Sequence, residues 1–168
     1  LNWDLNILCQ TMRDESGTSY SDHPGMYHLD LDKGEEDLRQ GPEVTRGGGG
    51  PDEFGYTWID SDEPDGLVFE WEDISNNGIP VNLSDDGYEA VPLPFTFSFY
   101  DIGHNEVKIC SNGYLTFGSD GTDYTNDPIP DSTDPNDYIA PFWNDLNPTM
   151  GGMIYYHSES DKFIVQYD

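Results

Sequence analysis

Two acidic loops carry side chains of the type and spacing that hold a cation. In Asp-Ser-Asp-Glu-Pro-Asp-Gly, residues 60–66, the carboxylates of Asp60, Asp62, Glu63 and Asp65 share one short loop that Pro64 stiffens and Gly66 ends. Calcium takes about six to eight oxygen ligands, which carboxylates at alternating loop positions and backbone carbonyls supply. The second loop runs from Ser119 to Asp137 and holds Asp120, Asp123 and Asp127, with Asp131, Asp134 and Asp137 behind them. An EF-hand is excluded, because its loop spacing and closing glutamate are missing. Calcium is the expected cofactor, against the plainer reading of solvated acidic turns.

Other chemistry finds less support. With 34 Asp and Glu in 168 residues, carboxylate pairs arise at any separation by chance, so spacing gives no sign of a glycosidase. A Ser-His-Asp triad would have to use His23, His28, His104 or His157, and no serine stands in a Gly-x-Ser-x-Gly elbow. The glycine run at 47–50 precedes neither Gly-Lys-Ser/Thr nor a helix, which removes a phosphate loop. Cys9 and Cys110 belong to no Cys-x-x-Cys motif, so zinc and thioredoxin-like chemistry are not expected. Paired, they would close a loop of about 100 residues and contribute roughly 4–5 kcal/mol, which suits an oxidising compartment. The alternative is two buried free thiols. No enzyme is expected.

The chain carries a net charge of −28, from 34 acidic and 6 basic side chains. Such a surface repels nucleic acid and anionic lipid, and it needs counter-ions, either calcium at fixed sites or concentrated salt around the whole molecule. No run reaches the ~18 apolar residues of a membrane span, so membrane insertion is not expected. Leu1 in place of Met reads as a mature or excised piece. Aromatic residues make up 14% of the chain, far from the composition of disorder, so the chain should fold.

The elements that position these residues are short and β-rich. Residues 1–50 read as an N-terminal extended arm ending in a flexible glycine joint, and residues 51–168 as one module. Eight strand-like runs follow Pro51, beginning at Phe54, Leu67, Pro92, Glu106, Tyr114, Tyr138, Met153 and Lys162, with Gly, Asn, Asp and Pro between them. No helical period intervenes, so an all-β, antiparallel two-sheet β-sandwich of jelly-roll type is expected. Phe95, Phe97 and Phe99 recur at period two, giving that strand one core face. Asn112-Gly113 supplies the turn that opens the strand from Tyr114. Trp58, Trp71, Tyr124 and Tyr138 offer aromatic faces to which a glycan would stack, and Asn82-Leu83-Ser84 is a glycosylation sequon.

Ser111-Asn112-Gly113-Tyr114 with Phe117-Gly118, and Ile139-Ala140-Pro141-Phe142-Trp143 with Asp145, resemble the core of nidogen-like extracellular domains. The stretch from 91 to 168 is similar in particular to the sandwich modules appended to secreted prokaryotic subtilisin-type proteases and surface proteins. The likeness implies a non-catalytic module at the cell surface or outside the cell, engaged in adhesion or assembly. It implies too that Tyr114 and Phe117 fill the core and that Phe142 and Trp143 pack from another strand. The final alternation, Phe163, Val165 and Tyr167, suits strand exchange with a neighbour in a fibre, as does the arm. Expected partners are therefore proteins, through self-association or the other domains of a parent chain. An accessory module of a secreted protease and a carbohydrate-binding sandwich are the alternatives.

Overall fold

A computed structural model describes residues 47–61, 63–118, 120–126 and 132–168. Residues 1–46 of the expected arm, with Cys9, lie outside the described residues, as do Asp62, Asp127 and Asp131.

The described residues form strands and no helix. A small ribbon pairs β1 (Gly48–Gly49) with β2 (Trp58–Ile59). One sheet has the order β3-β8-β9, built from Ile79–Val81, Ile154–Ser158 and Phe163–Tyr167. The other has the order β4-β5-β6-β7, built from Tyr88–Phe99, Ile102–Cys110, Leu115–Thr116 and Tyr138–Ile139. Every pairing is antiparallel. The two sheets make the expected β-sandwich. Its core is Val81, Val91, Ile109 and Ile154, one or more from each facing sheet, with Leu83, Leu115, Tyr156, Phe163, Val165 and Tyr167 packed against them.

The alternation in β4 does what the sequence requires. Val91 and Phe99 are buried and Leu93, Phe95 and Phe97 half-buried, while Pro92, Pro94, Thr96 and Ser98 face solvent. β4 returns into β5 through the two-residue loop Tyr100-Asp101, both in the left-handed region at φ 46° and 63°. Positive φ at both central residues is the type I′ geometry that matches strand twist, here built without glycine.

The structure differs from the sequence reading in three places. The run from Leu67 to Ser75 forms no ladder; Ile74 alone is fully buried, its N–H donating to the Gln166 side chain at 2.8 Å. Conversely, β3 and residues 88–91 of β4 are strands that the sequence reading passed over, the run there having been started only at Pro92. Both are outer strands of their sheets, where the N–H missing at Pro80, Pro92 and Pro94 leaves no partner unbonded. The glycine run is not a bare joint either. Gly49 lies under the Trp58 indole, so close that a Cβ there would stand 2.5 Å from Nε1.

Candidate functional site

The loop Ser111–Tyr114 sits where three other loops meet. Asn112 is fully buried, and its amide donates to the Asp86 carboxylate at 3.1 Å and to the Asp123 carbonyl at 3.2 Å. Its Oδ1 accepts from Leu146 N–H at 2.9 Å, and its backbone carbonyl from Asn144 N–H at 3.1 Å. Gly113, at φ 77°, takes a conformation that favours glycine, and a Cβ there would collide with the Phe142 carbonyl oxygen. Tyr114 is fully buried; its hydroxyl accepts from Asp123 N–H at 3.1 Å, and burial pushes its pKa up.

Trp143 packs on Tyr114 at 5.0 Å and Tyr138 at 5.3 Å between ring centroids. Phe142, expected to pack beside it, is instead 61% exposed, its backbone rather than its ring closing on Gly113. Phe117 stacks with Phe97 and His104 and lies against Phe99. Cys110 is a buried free thiol, and Cys9, its expected partner in a bridge, lies outside the described residues. Burial raises its pKa from 9.0 to about 12, which keeps it protonated and inert.

The acidic loops have a local use that spacing toward a metal did not suggest. Asp52 Oδ1 accepts from Phe54 and Tyr56 N–H, both at 2.9 Å. Asp73, Asp120 and Asp123 each accept at 2.9 Å from the N–H two residues on, at Ser75, Thr122 and Thr125. These are Asx-turns, in which a short carboxylate replaces a backbone carbonyl. The same bonds favour the charged form and hold Asp73 and Asp120 below the ordinary carboxylate value. Asp60 and Glu63 make successive backbone turns, Asp60 O accepting from Glu63 N–H and Glu63 O from Gly66 N–H. Among the described residues no group of three or more His, Cys, Asp or Glu is placed to hold a metal ion. The signal for the turns was the recurring Asp-x-Ser/Thr.

Between the sheets lies an apolar groove of about 510 Å³. Leu93, Phe95, Phe97 and Phe117 form its floor, Phe163 and Val165 one wall, and Leu67, Val68 and Trp71 a lip. Of the four aromatics weighed for glycan stacking, Trp71 stands on this lip, Trp58 and Tyr124 are exposed elsewhere, and Tyr138 packs inward.

A family profile described as NIDO related matches residues 67–160. The chain belongs to the NIDO-related family. NIDO-related modules are found in extracellular proteins, and no catalytic family is found in the chain. The NIDO-related span takes in the groove's floor and lip, the Asn112 hub and β8. The chain is also similar to alpha-tectorin of Mus musculus, 30% identical over 83 residues, which are 49% of this chain and 4% of that protein. The chain thus spans a small part of this relative's length. No solved structure matches it.

Proposed function

We propose that the chain is a non-catalytic structural or adhesion module of a larger extracellular protein, contacting other proteins or neighbouring domains of its own chain. The observation that carries this reading is that the buried Asn112 amide and Thr116 hydroxyl are spent on the protein's own loops, though Trp143 Nε1 beside them is buried with no hydrogen-bond partner among the described residues. The side-chain amide of Asn112 spends both its ends on surrounding loops, and the buried Thr116 hydroxyl donates to the Asn136 and Asp137 carbonyls and accepts from Gly118 N–H. Polar groups bound in this way fix loop geometry and offer nothing to a substrate. Membership of the NIDO-related family supports the extracellular setting.

Calcium enters this reading as a surface counter-ion to the −28 charge rather than as a bound cofactor, since the best-placed aspartates already cap turns.

The test is antibody labelling of intact source cells and their medium, followed by attachment of beads carrying the chain to those cells. Surface or medium labelling, with attachment that soluble chain competes away, supports the proposal. Labelling only after permeabilisation would overturn it.

A further inference from the structure

The inner face of β4 is longer than the sheet laid over it. β4 has 12 residues and β8 and β9 have 5 each. The register shift between Pro92 and Phe97 bulges β4 against the 9 residues of β5, so at about 3.4 Å per residue the comparison is ~30 Å against ~17 Å. Burial follows the mismatch: Val91 is 3% and Phe99 9% exposed, whereas Leu93, Phe95 and Phe97 between them are half-buried and floor the groove.

The edge beside the groove is also the open one. Among the outer strands, β3 carries Pro80 and β4 carries Pro92 and Pro94, which discourage further pairing, and β7 has 2 residues. β9 has 5 residues and no proline, and among the described residues only β8 pairs with it. Across the groove Leu67 and Val68 stand 56% and 80% exposed. The site calls for one more apolar strand.

The chain holds a segment of matching pattern outside the described residues. In Leu-Asn-Trp-Asp-Leu-Asn-Ile-Leu-Cys, residues 1–9, Leu1, Trp3, Leu5, Ile7 and Cys9 fall on one face of a strand, and Asn2, Asp4 and Asn6, with Leu8, on the other. Asp4 is its one charged side chain, in a chain with 34 acids. That matters because the groove's rim carries Glu70, Glu72 and Asp161 against Lys162, and most other segments would be repelled. Residues 10–46 span 37 positions. Fully extended, such a length covers up to ~120–130 Å, several times the length of β4, so the segment reaches the groove of its own molecule.

We infer that the groove is the docking site of the chain's own residues 1–9, which add to β9 as a strand with Leu1, Trp3, Leu5, Ile7 and Cys9 turned inward. Main-chain hydrogen bonds to the β9 edge give affinity, and the alternating side chains fix register. The intramolecular form is favoured over a second copy because two molecules of charge −28 repel, whereas the tether raises the local concentration of the segment at no such cost.

The experiment uses the full chain and the uncharged apolar dye Nile red. Leu5→Asp places a carboxylate in the groove; Asn6→Asp adds the same charge on the solvent side. The expected result is a monomer in which Leu5→Asp raises dye fluorescence about threefold or more and speeds amide exchange in β9 about tenfold, while Asn6→Asp changes neither. Unchanged dye binding and exchange in folded Leu5→Asp would overturn the inference. The wild-type chain gives a reading that no folding failure can obscure, because docking requires slow exchange of amides within residues 2–9. Exchange there at the rate of an unstructured peptide would overturn it. So would a wild-type dimer that admits dye only on dilution, which would assign the groove to a second copy.

Discussion

The hydroxyl of Tyr167, near the end of β9, donates to the backbone carbonyl of Cys110, at the end of β5, across 3.0 Å. The Tyr114 carbonyl lies at the same distance and shares that hydrogen, while also accepting from Cys110 N–H. One phenol thus ties the three-stranded sheet to the loop that opens β6. Tyr167→Phe keeps the ring and leaves a buried carbonyl short of a donor, which costs about 1–3 kcal/mol. Urea unfolding should show a lower midpoint at unchanged slope. A loss under about 0.5 kcal/mol would mean that the hydroxyl does not bind the sheets together.

Asn112-Gly113 should tolerate almost nothing. Gly113→Ala combines a left-handed backbone, about 1–2 kcal/mol, with overpacking against Phe142, about 1–3 kcal/mol. Asn112→Asp removes the amide donors and sets a buried carboxylate against Asp86. Each variant should lose about 3 kcal/mol or more, read by thermal or urea melts. A folded Gly113→Ala of wild-type stability would show that the Phe142 segment moves aside freely.

The Tyr100-Asp101 turn predicts a gain. Replacing Asp101 by Gly relieves the left-handed strain, offset in part by glycine's greater unfolded-state freedom, for a net stabilisation of up to about 1 kcal/mol. A melting temperature at or below wild type would mean that the Asp101 side chain supports the turn.

Alkali should weaken the fold before the tyrosines of an unfolded chain are fully ionised. Cys110 is raised from 9.0 to about 12, and Tyr114 and Tyr167 are raised as well, each by burial first. With the folded value above the unfolded one, this stability is fully present below pH 9 and is lost as pH climbs toward 12. Unfolding free energy measured from pH 8 upward should fall through that window. Cys110→Ser should flatten the earliest part of the fall, and a pH-independent stability would refute the assignment. Thiol reagents should label Cys110 only after denaturation.

Capped aspartates imply a small response to calcium. At constant high ionic strength, melting temperatures in calcium and in chelator should agree within about a degree, because Asp73, Asp120 and Asp123 keep their N–H partners either way. A large rise with calcium would restore a bound-cofactor role to the 60–66 or 119–137 loop.

Period-two alternation in β4 and β9 and the Asn-Gly turn were legible because each rests on local chemistry. The faces of Phe95, Phe97 and Phe99 follow from strand geometry, and the φ of Gly113 from the turn. Strand membership at Pro80 was not legible, since a proline fits a strand only where topology puts that strand at a sheet edge. Leu67–Trp71 misled for the opposite reason: its composition is that of a strand, but no ladder partner is described for it. The Asn112 hub needed Asp86, Asp123 and Leu146 brought together from three loops, and nothing in sequence separation announces that.

Mechanically, the ribbon of β1 and β2 is a fuse. It is held by the two residue pairs Gly48–Ile59 and Gly49–Trp58, whereas the β4–β5 hairpin has eight registered pairs. Tension applied through the chain ahead of Gly47 reaches this ribbon first. Once it opens, residues 48–59 are still held to the β4–β5 turn, where Phe54 and Tyr56 pack on Tyr100 and the Tyr56 hydroxyl accepts from Tyr100 N–H at 3.1 Å. A module placed in an extracellular matrix would thereby meet a pull first at two residue pairs and next at this aromatic clasp, before its core sheets.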